Sequence, residues 1–167
     1  IEAVSLLAGI CVDTKNFCFK TGVRTFEAAA FLRRHGADTM DVKKMFSDDL
    51  NVFLKRADII RSAEIKNEIA IAVCPEEIQD TVVAAQAADE LLNITGIEAS
   101  FVIVKIEDEI FISGRSLGKI NVQLILETLG GGGHMTMAGT KFTSMKLSEV
   151  VDKVKEAIEK YLKEDEK

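Results

Sequence analysis

The sequence predicts an α/β chain in which a helical first third gives way to a mixed α/β unit, and three observations carry that reading. Apolar residues recur at helical spacing up to about Asn67. Strict alternation comes next, with Ile69, Ile71 and Val73 set against Ala70 and Ala72 just before Pro75, the only proline. Two further apolar runs, Phe101 to Ile106 and Ile110 to Ser113, flank an acidic turn at Glu107-Asp108. The boundary between the two parts is expected near Glu64 to Glu68.

Taken in order, Val4, Leu6, Leu7 and Ile10 form a first apolar helix with no capping residue ahead of it. A helix start needs partners for its first four N–H groups, so the chain is expected to be a fragment that begins inside a folded element. Thr25 is expected to cap a second helix carrying Phe26, Ala29, Ala30 and Leu32, with a stop at His35-Gly36. His35 in a last helical turn suits the negative dipole end and needs no catalytic role. Asp38 or Thr39 opens the next helix, and a further one runs through Phe53, Leu54, Ala57 and Ile60. After the 69–73 strand, Val82, Val83, Ala87, Leu91 and Leu92 share one helical face. An amphipathic stretch spans Ile120 to Leu129, and Met137 to Thr143 reads as a strand. Ser148 is expected to cap a last helix with Val151, Val154, Ile158 and Tyr161 inward, and the tail Lys163 to Lys167 is expected to fray.

Composition narrows the function. The chain has 167 residues and a net charge of −6, which disfavours binding to a duplex nucleic-acid backbone and favours a small ligand. Cys11, Cys18 and Cys74 lack metal-ligand spacing and leave an odd thiol, so small buried side chains in a reducing setting are expected, with no disulfide framework. No apolar run reaches the roughly 18 residues of a spanning helix, and no signal-peptide pattern opens the chain, so it is expected to be soluble.

Chemistry concentrates at three places. Gly130 to Gly133 followed by His134 offers bare backbone, N–H groups able to form an anion-binding concavity, and an imidazole able to donate to a phosphate oxygen. The alternative is a helix stop at Gly130 followed by a linker. Asp13, at the end of the first apolar segment, is either a ligand for a hard or borderline cation or a cap in a turn. Ser113-Gly114-Arg115-Ser116 ends a strand one helix upstream of the glycines, so Arg115 either binds a phosphate bidentately, with Ser116 as a neighbouring donor, or is a surface charge. Asp89 reads as a solvated helix residue or a local hydrogen-bond anchor.

Residues Leu7 through Phe17, Thr21 through Ala29, and Leu129 through His134, in that order, resemble the DHH superfamily of metal-dependent phosphoesterases. More narrowly, the chain looks like the C-terminal part of the membrane-anchored GGDEF-DHH type of cyclic-di-AMP phosphodiesterase. The resemblance implies a remnant of the DHH catalytic domain over residues 1–66 and a DHH-associated nucleotide-binding domain over 67–167. It implies Asp13 as one ligand of a two-Mn²⁺ centre. Arg115, Gly131, Gly132, Gly133 and His134 become phosphate- and nucleotide-binding residues, with His134 also serving catalysis and Lys15 and Asn16 lining the same cleft. The partner would be a cyclic dinucleotide or short linear dinucleotide. Completion of the centre would need the missing N-terminal DHH half, whose Asp-His-His triplet this chain lacks, so the fragment is expected to be inactive alone. The parent would lie at the cytoplasmic face of the cell membrane, and a homodimer is allowed. Gly114 stands where this branch resembles alanine-bearing sequences. Two other classes share the loop: a DHH-type oligonucleotide exonuclease or pyrophosphatase, and a non-enzymatic nucleotide- or tRNA-binding module such as alanyl-tRNA synthetases carry. Asp13 counts against the last, because a pure binding module has no use for a metal ligand.

Overall fold

The computed structural model describes residues 1–165 and divides into two compact units, Ile1–Asp49 and Leu50–Lys167. Helices α1 (Glu2–Asp13), α2 (Val23–Arg34) and α3 (Thr39–Met45) make the first unit. Its apolar centre consists of Leu7, Ala8, Ala37 and Val42. Asp38 caps α3 by accepting from Met40 N at 2.7 Å. Thr25 does not cap α2 as the sequence suggests; Gly22 takes that place, and Thr25 sits three residues in, its hydroxyl accepting from Gly22 N at 3.3 Å. This is half of a capping box, with the side chain reaching back to the orphan N–H.

The second unit is a six-stranded sheet between two helical layers. Strands β1 (Glu64–Lys66), β2 (Ile69–Val73), β3 (Ala99–Ile106), β4 (Glu109–Ser116), β5 (Gly132–His134) and β6 (Met137–Thr143) lie in the order β1-β2-β3-β4-β6-β5. Only β2 and β3 run parallel. The connection between them is α5 (Thr81–Leu91), as a parallel pair requires. Asp80 caps it, its Oδ1 accepting from Val82 N and Val83 N.

Alternation along β4 decides which residue faces which layer. Ile110 and Ile112 join Phe101, Val122, Leu126, Val150 and Val154 in the core beneath α6 (Val122–Glu127) and α7 (Leu147–Asp165). The opposite face is covered by α4 (Leu50–Arg61) and α5, through Ile59, Val83, Ala87 and Leu91 against Val102 and Val104. Each fully buried Val, Leu, Ile or Phe side chain here contributes about 1.5–3 kcal/mol of transfer free energy. Gly114 belongs to the α6 face, where an added Cβ would meet Leu126 Cδ1 at 3.0 Å, tight but against a movable side chain.

The compact units part between Asp49 and Leu50, with α4 tied to α5, and two readings of the sequence need adjustment. The Arg56 guanidinium of α4 is buried, with Nη1 donating to Gln86 Oε1 at 3.2 Å and Nε 2.7 Å from Glu90 Oε1, a charge contact without hydrogen-bond geometry. α4 also ends at Arg61, and β1 begins where more helix is expected. α7 starts at Leu147, which puts Ser148 inside it, while Lys146 N donates to Glu149 Oε2 at 3.3 Å. α7 continues through Asp165, and the remainder of the tail expected to fray lies outside the described residues. Among the described residues no helix is long and apolar enough to cross a membrane.

Candidate functional site

Strand register brings the two strongest candidates onto one face of the sheet. Arg115 of β4 pairs with Met137 of β6, and Met137 pairs with His134 of β5. Directly opposed residues of antiparallel strands point the same way, so Arg115, Met137 and His134 form one cross-strand row. Two strand spacings separate its ends, roughly 10 Å between backbones. Ser100 of β3 extends the row on the other side of Arg115. The face is that of α5, since the fully buried Ser100 hydroxyl donates to Ala88 O at 2.7 Å. α5 leaves the outer strands β6 and β5 open there, and Met137 and His134 are exposed.

The next row on that face is nearly bare. Ser113 pairs with Gly139, which pairs with Gly132. With Phe111, Lys141 and Thr81 at the start of α5 they line an open concavity of about 480 Å³. Lys141 Nζ donates to Glu109 Oε1 at 2.7 Å on the same face.

The glycine run combines both sequence-level readings. Gly130, at φ 78°, does stop α6: its N–H donates to Glu127 O at 3.0 Å, and that of Gly131 to Leu126 O at 2.9 Å. These two N–H groups are therefore committed to the helix end, and the expected concavity of successive free N–H groups does not form at them. The residues after them, Gly132 to His134, form an edge strand rather than a linker. Close backbone contact demands glycine at two positions of the run. An added Cβ at Gly131 would lie 2.5 Å from Gly139 O, and one at Gly133 would lie 2.4 Å from Met137 O, with φ at 149° besides. At Gly132 a Cβ would meet nothing within 4 Å, so this glycine is not needed for packing.

Ser116 does not join the row. Its place in the alternation puts it on the α6 face, where it is buried and its Oγ accepts from Gly118 N at 2.9 Å. Arg115, by contrast, is only 11% exposed in its side chain, with Nε donating to Asp89 Oδ2 at 3.2 Å and Nη1 to Gly114 O at 2.9 Å. Sequence spacing gave no sign of the Asp89 partnership, which spans 26 residues.

Asp13 is the last residue of α1 and is exposed. Thr14 beside it is buried, its hydroxyl donating to Ile10 O at 2.6 Å and accepting from Phe17 N at 2.9 Å. Lys15, Asn16 and Phe17 then take three consecutive positive φ values of 44°, 55° and 65°. Each non-glycine residue in that conformation costs roughly 1–2 kcal/mol, so the turn after Asp13 is held against its own preference. Among the described residues no group of three His, Cys, Asp or Glu side chains gathers to hold a metal ion. Asp13 alone does not make a divalent-metal centre, and the residues present do not fit one without further donors.

The sequence profile of the DHHA1 domain matches residues 66–164. The chain belongs to the DHHA1 domain family. It is 47% identical over 166 residues to the cyclic-di-AMP phosphodiesterase GdpP of Bacillus subtilis, covering 96% of this chain and 25% of that protein. It is also 47% identical to the cyclic-di-AMP phosphodiesterase PdeA of Listeria monocytogenes, covering 98% of this chain and 25% of that one. The chain thus spans about a quarter of the length of the curated relatives it matches. Among solved structures, an exopolyphosphatase-related protein from Bacteroides fragilis superposes with a TM-score of 0.83 at 20% identity, over 91% of this chain and 48% of that one. RecJ of Thermus thermophilus, solved in complex with Mn²⁺, reaches 0.50 at 16% identity, over 85% and 20%. These likenesses show a DHHA1-bearing fold, with the glycine run, Arg115 and His134 all inside the matched region.

Proposed function

We propose that this chain is the C-terminal part of a phosphodiesterase that opens cyclic-di-AMP to a linear dinucleotide. Residues 1–66 would close the DHH catalytic domain, and 67–167 would form the DHHA1 nucleotide-binding domain. The supporting observation is the single row that holds Arg115 and His134 beside a bare-backbone groove, in a chain 47% identical to two cyclic-di-AMP phosphodiesterases.

Arg115 presents a planar fork suited to a phosphodiester, and His134 adds a donor from the edge strand. Gly132 lets the nucleotide approach the backbone, and the outer edge of β5 offers main-chain groups outside the β5–β6 ladder. Together these residues bind and orient the phosphodiester for attack. Asp13 would supply one carboxylate ligand to the metal centre of the catalytic half, for which Mn²⁺ is the ion we propose; divalent ions held there would activate a water. The membrane association of the parent and its role in signalling belong to the same proposal.

The test compares this chain with one extended upstream through the Asp-His-His motif, assaying linear dinucleotide formed from cyclic-di-AMP with excess Mn²⁺. Turnover is expected only in the longer chain, because its nucleophile needs ligands this one does not assemble. Equal turnover by both would show the metal chemistry to be misplaced. Preference for a linear oligonucleotide over the cyclic substrate would favour the exonuclease alternative.

A further inference from the structure

The Asp89–Arg115 pair sits oddly for an anion site, because a carboxylate beside a phosphate-binding guanidinium repels the phosphate. Its contribution must therefore come through geometry. A guanidinium carries five N–H donors in one rigid plane. With Nε on Asp89 and Nη1 on Gly114 O, that plane has no freedom to turn, and the direction of the remaining donors is set.

Asp89 is itself anchored. The residue before it, Ala88, accepts the hydroxyl of fully buried Ser100, which neighbours Arg115 in the same sheet row. The residue after it, Glu90, faces buried Arg56 of α4, which also holds Gln86 one turn earlier. Polar contacts from β3, β4 and α4 thus converge on residues 86–90 of α5. A surface ion pair would have neither a largely buried partner nor a helix fastened on both sides of it.

We propose that Asp89 is a positioning residue for Arg115, fixing the guanidinium in the orientation that receives the substrate phosphate. The inference rests on the reading of Arg115 as a phosphate-binding residue. Asp89 touches no substrate and acts only through Arg115.

The test is steady-state hydrolysis of cyclic-di-AMP by the upstream-extended chain, with thermal unfolding measured in parallel. Asp89→Asn is expected to raise KM about tenfold while changing kcat less than about threefold, because a guanidinium no longer held in one plane gives up part of its charge-assisted hydrogen bonding to the phosphate. Asp89→Glu, which keeps the charge, is expected to fall between Asp89→Asn and the unsubstituted chain. Arg115→Ala is expected to raise KM further, and the double variant Asp89→Asn/Arg115→Ala to be no worse than Arg115→Ala alone. Additive effects in the double variant would overturn the inference, as would an unchanged or lowered KM for Asp89→Asn. Loss of cooperative unfolding in both Asp89 variants would make the pair a structural brace and overturn it too. If Arg115→Ala itself leaves KM unchanged, the phosphate-binding reading fails and takes the inference with it, an outcome distinct from a silent Asp89 alone.

Discussion

The two units of this chain bury their apolar residues very differently. In residues 50–167, helices cover both faces of a sheet, and Phe101, Leu91, Ile103, Ile125 and Val150 are wholly inside. In residues 1–49, α2 has no fully buried residue, its Ala29 and Leu32 being half-buried, while Phe26, Phe31, Met40, Met45 and Phe46 remain exposed. An apolar concavity of about 570 Å³ opens among Leu7, Phe17, Ala29 and Val42. Apolar content alone therefore does not make a core; it must sit on elements that face one another. The sheet unit has such elements. The helical unit has fewer, and taken by itself it is expected to bury too little to offset the entropy of ordering its chain.

The largest effect would come from separating the units. Residues 50–167 produced alone are expected to unfold cooperatively on heating, with dispersed amide resonances. Residues 1–49 alone are expected to lose helical signal gradually, without a transition. A cooperative transition in the shorter piece would break the comparison, because it would show that four small buried positions suffice.

Within the sheet unit, the glycine run separates folding from binding. Gly133→Val meets backbone at a positive φ and is expected to destabilise by about 3 kcal/mol, read as a lower urea midpoint. Gly132→Val meets open space, so the stability read from the midpoint should stay within about 0.5 kcal/mol while KM for cyclic-di-AMP rises in the upstream-extended chain. The opposite pattern, a destabilised but fully active Gly132→Val, would remove the groove from the site.

These particulars show what the sequence made legible. Strands β2, β3, β4 and β6 and helices α5 and α7 carry five or more residues of clean period, enough for side-chain alternation to declare itself. β1 and β5 have three residues each, and β5 has almost no side chains to alternate, so neither gives a pattern. Arg115 and His134 stand out locally by residue type. Their common face depends on the register of β4, β6 and β5, a non-local property. The partner of Asp89 and the role of Arg56 were hidden for the same reason, since each acts through a residue on another element. Ser116 shows the reverse error, since neighbours in a strand point to opposite faces and proximity in sequence separates rather than gathers them.

The cysteines offer the smallest but most selective probe of the difference between the units. All three read as small buried side chains, yet Cys18 is exposed and Cys11 half-buried in the first unit, and only Cys74 in the second is buried. Burial pushes the Cys74 thiol up from 9.0 to about 12, because a thiolate would lose its hydration there. At pH 8 a disulfide-exchange reagent is therefore expected to label Cys18 in the native chain and Cys74 only after denaturant is added. The raised value also carries a pH dependence. The unfolded chain gives up this proton first as pH climbs, so the contribution is intact below about pH 9 and is lost between there and about pH 12. Lys119 and Lys155, raised by Glu68 and Glu64, lose their contributions only above 10.5, higher in that range. A urea midpoint that falls between about pH 8.5 and 10 in the unsubstituted chain but stays level in Cys74→Ala would assign the fall to Cys74. Labelling of Cys74 as fast as Cys18 under native conditions would show that the sheet unit opens as readily as the helical one, and the contrast between them would not stand.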